Sequence, residues 1–387
     1  MRVLHVYKSY YPDTVGGIEQ VIAQLALSLA PLGVESRIYT LSHAAEPRVL
    51  KRPEGEVWRD PVQLELASNP FSVQALWRFR EQVRWADVVH YQFPFPFGDL
   101  LHLLWARHKP SVVSYQSDVV RQQSLLRLYR PLMDRFLRSV DAVVAASPDY
   151  VASSPVLGGL HNVRVIANGI DARRLQKPSA GLLERWRTRL GDGFFLFVGV
   201  LRYYKGLHVL LEAAQGLGAR VVIAGDGPEA GALRARAAAL GLDNVEFLGR
   251  VDDEDKACLL ELARAFVFPS HLRSEAFGMS LVEAAMHALP MISCEIGTGT
   301  SYINIDGETG WTVAPGSAPA LREAMDAVIA GPAEAARRGR AGRERFESLF
   351  TADRMAQSYQ ALYAELVARH GGGFPTIRPD NIQEHAK

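Results

Sequence analysis

The sequence predicts an α/β protein of two domains, each a parallel β-sheet wrapped by helices. Three observations carry this. Short apolar runs recur along the chain, each followed by a polar or glycine-rich loop and then by a helical pattern, the order that lays strands side by side in parallel. The 387 residues exceed one compact core and suit two. The clearest unit runs from Ala265-Phe266-Val267-Phe268 through a loop opened by Pro269. A helical pattern follows, with Leu281, Val282, Ala285 and Leu289 on one side, then a stop at Pro290 and a new apolar run, Met291-Ile292-Ser293. Strand, loop, helix, strand sets a loop and a helix N-terminus at the carboxyl edge of the sheet.

The bulk numbers narrow the class. Hydrophobic content of 48% and charged content of 22% are ordinary for a globular chain. A net charge of +1 supplies no field for nucleic acid. The two cysteines, Cys258 and Cys294, point to a reducing compartment and no metal cluster. The opening MRVLHVYKSYYP is too polar for a signal peptide. No apolar run reaches the roughly 18 residues of a membrane span. The expected place is the cytoplasm or the cytoplasmic face of a membrane.

In the first domain, Val3 to Tyr7 reads as a strand, Gly16-Gly17 as a loop and Ile18 to Leu29 as a helix. The pattern is not G-x-G-x-x-G, so no dinucleotide fingerprint is present. Arg37 to Thr40 reads as a strand, Ala44 to Asp60 as a polar surface excursion and Pro70 to Trp85 as a helix. Asp87 to His90 is a strand leading into an aromatic, proline-rich loop from Tyr91. Ser111 to Tyr115 is another, ending in Gln116-Ser117-Asp118. Arg121 to Arg138 is a basic amphipathic helix, broken near Pro131, of the kind attracted to anionic lipid. Strands at Ala142 to Ala146 and Val163 to Ile166 precede Asn168-Gly169-Ile170-Asp171, a turn signal. The linker is placed at about 171–192, so that the domains span 1–175 and 192–351.

The second domain opens with a strand at Phe194 to Val198, then Gly199 to Gly206 and a helix from Leu207. Arg202 and Lys205 lie in that loop, where two cations would neutralise an anion. Strands at Arg220 to Ile223 and Val245 to Gly249 follow, the first ending in Gly225-Asp226-Gly227-Pro228. Asp252-Asp253 reads as a helix N-cap. Asp306 to Trp311 reads as a hairpin turn into a strand, and Ala318 to Phe350 as two helices. The last helix carries the stripe Met355, Tyr359, Leu362, Leu366, and 371–387 is expected to be a disordered tail.

Glu275-Ala276-Phe277-Gly278-x-x-Leu281-x-Glu283 resembles the E-x7-E signature of the retaining glycosyltransferases of family 4, which have the GT-B architecture of two facing Rossmann-like domains. The opening Gly16-Gly17, the Lys205-Gly206 pair, Gly225-Asp226-Gly227-Pro228 and Asn168-Gly169-Ile170-Asp171 are similar to the family as well. The resemblance covers Val3 to about Arg369 and implies that the last helix, 352–370, crosses back to the first domain.

The resemblance implies a division of labour. Glu275 reaches the donor sugar, Glu283 the ribose, and the backbone at Ala276, Phe277, Gly278, Met279 and Leu281 the diphosphate and sugar. Lys205, with Arg202 standing two residues from the family's usual arginine position (here Val200), carries the leaving diphosphate. Gly16, Gly17, Gly199, Gly225 and Gly227 let backbone approach the donor, and Gly249, Arg250 and Val251 hold the base edge. Gln116 replaces the family's usual histidine at the sugar. Glutamine hydrogen-bonds but carries no proton. A donor without a C6 hydroxyl, such as a GDP-linked rhamnose, is one reading; neutral change is the other. Tyr91, Asp118 and Asn168 are assigned to the acceptor side.

The implied reaction is hexosyl transfer, of mannose or rhamnose type, from a nucleotide diphosphate sugar to a lipid-linked or oligosaccharide hydroxyl in surface-polysaccharide assembly. GDP is the first choice of nucleotide and UDP the second, with neither metal nor other cofactor. The alternative from another class is a nucleotide-sugar-binding protein without turnover. The patterns of an epimerase or phosphorylase are not visible.

Overall fold

The structure is a computed structural model that describes residues 1–66, 69–118, 123–174 and 178–371. The tail from 372 and the start of the basic segment at Arg121 lie outside the described residues.

The first domain is built from β1 (Arg2–Val6), α1 (Gly17–Leu29), β2 (Glu35–Ser42), β3 (Val49–Arg52), β4 (Gly55–Pro61), a small hairpin of β5 (Leu64–Leu66) and β6 (Asn69–Phe71), α2 (Val73–Trp85), β7 (Val88–Phe93), α3 (Pro96–Leu101), β8 (Ser111–Tyr115), α4 (Gln123–Ser139), β9 (Ala142–Ala145), α5 (Pro148–Ser153) and β10 (Val163–Val165). Its sheet runs β10-β9-β8-β7-β1-β2-β4-β3, parallel except for β3 against β4. The β1, β7, β8 and β9 strands are almost wholly buried, as a sheet covered on both faces requires.

The second domain comprises α6 (Ala180–Leu190), β11 (Phe194–Val198), α7 (Leu207–Ala213), β12 (Val221–Ala224), α8 (Ala230–Ala239), β13 (Val245–Gly249), α9 (Asp253–Leu262), β14 (Ala263–Phe268), α10 (Met279–Met286), β15 (Met291–Cys294), α11 (Gly299–Ile303), β16 (Gly310–Val313), α12 (Ala318–Ala330) and α13 (Pro332–Leu349). Its sheet is parallel throughout, in the order β13-β12-β11-β14-β15-β16.

The last helix, α14 (Ala352–Gly371), returns to the first domain. Met355, Tyr359, Leu362, Tyr363 and Leu366 are buried in one cluster with Val3, Val21, Leu25, Val112 and Val144. The two crossings between domains meet: Ile170 bridges Thr351, with the Ile170 N–H donating to Phe350 and the Ala352 N–H to Ile170. A Cβ on Gly169 would strike the Thr351 carbonyl, so the Asn-Gly turn is needed for this close approach.

Four local expectations are corrected. The excursion at 44–60 contains β3 and β4, which extend the sheet. Its polar residues are buried in pairs: Asp60, fully buried, accepts from Tyr39 at 2.6 Å and from Arg78 at 3.0 Å, and Arg59 donates to Asp13 at 3.3 Å. The presumed linker holds α6, whose Trp186 indole donates to Asp255 of α9 at 2.8 Å. The run from Asp306 turns tightly into a strand as expected, with Asp306 bridging Gly310, but that strand, β16, pairs parallel with β15 rather than in a hairpin. Helix α4 passes through Pro131 unbroken, with Pro131 and Arg127 both exposed, so the carbonyl freed by proline can face solvent.

Candidate active site

The carboxyl ends of the two sheets face each other, and the sequence-identified loops line the space between them. After β14, Ser270 and Glu275 lie in the loop ahead of α10, and Gly278 caps that helix at φ +102°. The cap offers no side-chain acceptor, leaving the first amides of α10 to the cleft. The Lys205 ammonium donates to Glu275 Oε2, which Ser270 also reaches at 3.3 Å. The lysine sits 4.6 Å over the Phe268 ring and is largely buried. Gly206 makes this possible. It takes φ +70°, and a Cβ there would collide with the Pro269 carbonyl. The short turn carrying Lys205 can therefore press directly on the Glu275 loop.

Glu283, on α10, is 4% exposed and paired with Lys256 of α9 at 2.7 Å. Burial works against the charged lysine, but Glu283 and then Asp253 outweigh it and raise its pKa. From the first domain, Gln20 Nε2 approaches the same Glu283 oxygen at 3.5 Å. The loop of Gly297 to Ser301 packs beneath: the Gly299 N–H donates to Ala276 at 2.8 Å, and a Cβ on Gly299 would strike Phe277. Phe277 itself is buried edge-on against Phe350, and Leu281 lies wholly in the core. Ala276 and Met279 touch first-domain clusters, so this stretch spans both domains.

On the opposite wall, Gly16 N-caps α1, with Gly17 as its first residue. Glu19 accepts from Thr14 at 2.6 Å and Ser9 at 3.3 Å, and its carboxylate occupies the space a Gly16 side chain would need. Lys8 follows β1. Burial lowers its pKa, Glu19 opposes that, and Arg202 from the other domain adds to it. Arg202 is exposed and faces this cluster. Gly199, Gly225 and Gly227 form close backbone contacts between neighbouring loops, and the Gly225 N–H donates to Gly249 at 2.7 Å. Arg250 is exposed and Val251 half-buried at that edge.

Gln116 Nε2 donates to Gln92 Oε1 at 2.7 Å. Beneath it the buried network continues: Gln92 to His90 at 3.4 Å, His90 to Ser114 at 2.7 Å, and the Tyr363 hydroxyl to His90 Nδ1 at 2.7 Å. Asp118 accepts from Tyr115 at 2.9 Å and Ser154 at 2.7 Å, and meets Arg273 of the second domain at 3.3 Å. Asn168 is buried just before the crossing. Tyr91 does not reach the cleft, which corrects its acceptor-side assignment. It is 2% exposed, between His102 and Phe136, because its position on β7 turns the ring inward. Among the described residues, no group of three His, Cys, Asp or Glu side chains could hold a metal ion.

A family model described as Glycosyltransferase Family 4 matches residues 15–174, and one described as Glycosyl transferases group 1 matches residues 183–345. The chain is 56% identical over 353 residues to the D-rhamnosyltransferase WbpZ of Pseudomonas aeruginosa, covering 91% of this chain and 93% of that protein. The chain belongs to the family 4 glycosyltransferases. This glycosyltransferase is also 48% identical over 368 residues to the O-antigen chain mannosyltransferase C of Escherichia coli, covering 95% and 99% of the two chains. Its fold matches the sucrose-phosphate synthase of Thermosynechococcus elongatus (TM-score 0.78, 22% identity, 95% and 99% covered). It also matches Anabaena Alr3699/HepE, solved with UDP and glucose (TM-score 0.75, 19% identity, 94% and 100% covered). Those likenesses establish the GT-B fold.

Lys8, Gln20, Arg273 and Lys256 escaped sequence reading. Lys8 had a usable signal, a basic residue at the carboxyl end of the first strand. Arg273 sits two residues before Glu275 but looks like any loop arginine. Lys256 lies on a surface-type helix, and nothing local tells that α10 will set Glu283 against it.

Proposed function

We propose that this glycosyltransferase moves a manno-configured hexose, mannose or its 6-deoxy form D-rhamnose, from a GDP-linked donor to a saccharide hydroxyl on a lipid-linked O-antigen-type acceptor. The observation that carries the reading is the near full-length similarity to both a D-rhamnosyltransferase and an O-antigen mannosyltransferase. The site geometry supports it. Glu283, held by Lys256, is the carboxylate to which the resemblance gives the ribose hydroxyls. The diphosphate meets the α10 N-terminus and competes with Glu275 for Lys205. Glu275, once released, is available to the sugar hydroxyls. Arg202 adds charge from the exposed rim.

We expect retention of configuration, with the acceptor attacking on the face the diphosphate leaves and the diphosphate helping to take its proton. The cations and amides stabilise the leaving charge without a metal. Gln116, pinned by Gln92, offers the sugar an amide oxygen rather than an imidazole. Arg127, Arg130, Arg135 and Arg138 of α4 are exposed together with Leu128, a face suited to an anionic bilayer surface. No helix among the described residues is long and apolar enough to cross a membrane.

The test is turnover of GDP-mannose, GDP-D-rhamnose and UDP-glucose with and without EDTA, alongside calorimetry with GDP and UDP. Turnover of a GDP sugar, indifferent to EDTA, supports the reading. Preference for UDP overturns the donor assignment, and nucleotide binding with no turnover or donor hydrolysis points to a binding protein. Sedimentation with vesicles of anionic against neutral lipid tests the α4 face.

A further inference from the structure

Arg273 joins three loops, its own and those that carry Asp118 and Gly297. Its Nη2 meets Asp118 Oδ2 of the first domain at 3.3 Å, and its Nη1 donates to the Gly297 carbonyl at 3.0 Å. The guanidinium also lies 5.5 Å from the centre of the Tyr150 ring. Ser153, on α5 of the first domain, donates to the same Gly297 carbonyl, so the two domains are tied twice at one point.

Asp118 is a fixed anchor. Besides the arginine, its carboxylate accepts from Tyr115 and Ser154, and its own N–H donates to Tyr150 at 2.6 Å. Its side chain is 14% exposed against 33% for Arg273. Partial burial strengthens such a pair relative to one in open solvent. A planar guanidinium can hold a carboxylate and a carbonyl at once, which an ammonium does poorly.

The spacing gives the contact its meaning. Arg273 is two residues from Glu275, and Asp118 is two residues from Gln116. The clasp therefore brings the loop bearing Glu275 to the loop bearing Gln116, one from each domain. We propose that Arg273 is a positioning residue for glycosyl transfer: by clasping Asp118 and Gly297 it sets Glu275 and Gln116 against two sides of one donor sugar. This rests on the glycosyl-transfer reading for the sugar, and not for the clasp itself. Lys205 and Glu283, which take the nucleotide, are second-domain residues that Arg273 does not contact.

The test compares wild type, Arg273→Ala, Arg273→Lys, Asp118→Asn and the Asp118→Asn/Arg273→Ala double variant. Small-angle scattering is measured on free protein, GDP affinity by calorimetry, and kcat and KM with GDP-mannose and GDP-D-rhamnose. Arg273→Ala is expected to enlarge the scattering radius and to lower kcat by roughly tenfold or more, while GDP affinity stays within about twofold. Arg273→Lys recovers part of kcat. The double variant is no worse than Arg273→Ala, because one contact is lost in both. An unchanged radius with wild-type kcat in Arg273→Ala overturns the proposal, as do additive losses in the double variant. If wild type turns over neither sugar, the donor reading fails and scattering still decides the clasp: an unchanged radius in Arg273→Ala overturns it.

Discussion

Lys256 and Glu283 meet at 2.7 Å, although 27 positions apart and on different helices. Both are largely buried, with side-chain exposures of 14% and 6%. Removing one member of such a pair strands the other charge. Lys256→Met is therefore expected to cost about 3 kcal/mol or more in stability. It should also weaken nucleotide binding, and Glu283→Ala is expected to do the same. Guanidinium unfolding and GDP calorimetry on both variants check this. Equal stability to wild type would show that Gln20 or water replaces the lysine.

Lys205 and Arg202 are predicted to differ. Lys205 is buried against Phe268 and aimed at Glu275, whereas Arg202 is exposed. A fixed donor in a sheltered site stabilises developing charge more than one in solvent. Lys205→Ala is expected to lower kcat/KM by about 10²–10³-fold. Arg202→Ala should lower it by roughly tenfold or less. Steady-state kinetics with the preferred GDP sugar separates the two.

Gly206→Ala tests the backbone rather than the charge. The glycine holds φ +70° and has no room for a Cβ beside Pro269. The substitution is expected to cost about 1–3 kcal/mol. It should push the Lys205 turn away from Glu275, so that activity falls at a temperature where the protein remains folded. Thermal melts paired with kinetics read both effects.

The His5–His90 pair predicts a pH dependence of stability. The rings lie 5.3 Å apart under the first sheet, and neither His5 nitrogen has a hydrogen-bond partner among the described residues. Burial brings His5 down to about 3, and burial with His5 nearby holds His90 well below the usual range. Below pH ~6.5 the unfolded chain binds protons that the native rings refuse, so stability falls as pH drops, by about 1.4 kcal/mol per unit for each ring. Guanidinium midpoints from pH ~7.5 to ~5 should show this slope, and His5→Phe should reduce it by one ring's share.

What the chain alone determined was what local chemistry can encode. Apolar runs such as Phe194 to Val198 and Ala265 to Phe268 became buried parallel strands, because an all-apolar segment has nowhere else to go. The Met355, Tyr359, Leu362, Leu366 stripe docked on the first domain. Glu275, Lys205 and Gly278 arrived at one sheet edge because a strand-loop-helix unit always delivers its loop there. Polar side chains behaved otherwise. The stretch from Ala44 to Asp60 looked like surface, since the partners that let Arg59 and Asp60 be buried, Asp13, Tyr39 and Arg78, come from other elements. Tyr91 looked like cleft until strand parity turned it inward. Arg273, Lys256 and Gln20 acquired roles only through residues 155, 27 and 263 positions away. Burying a polar group is favourable only when a partner meets it, and which partner arrives is decided by the packing of distant elements, not by the neighbours in sequence.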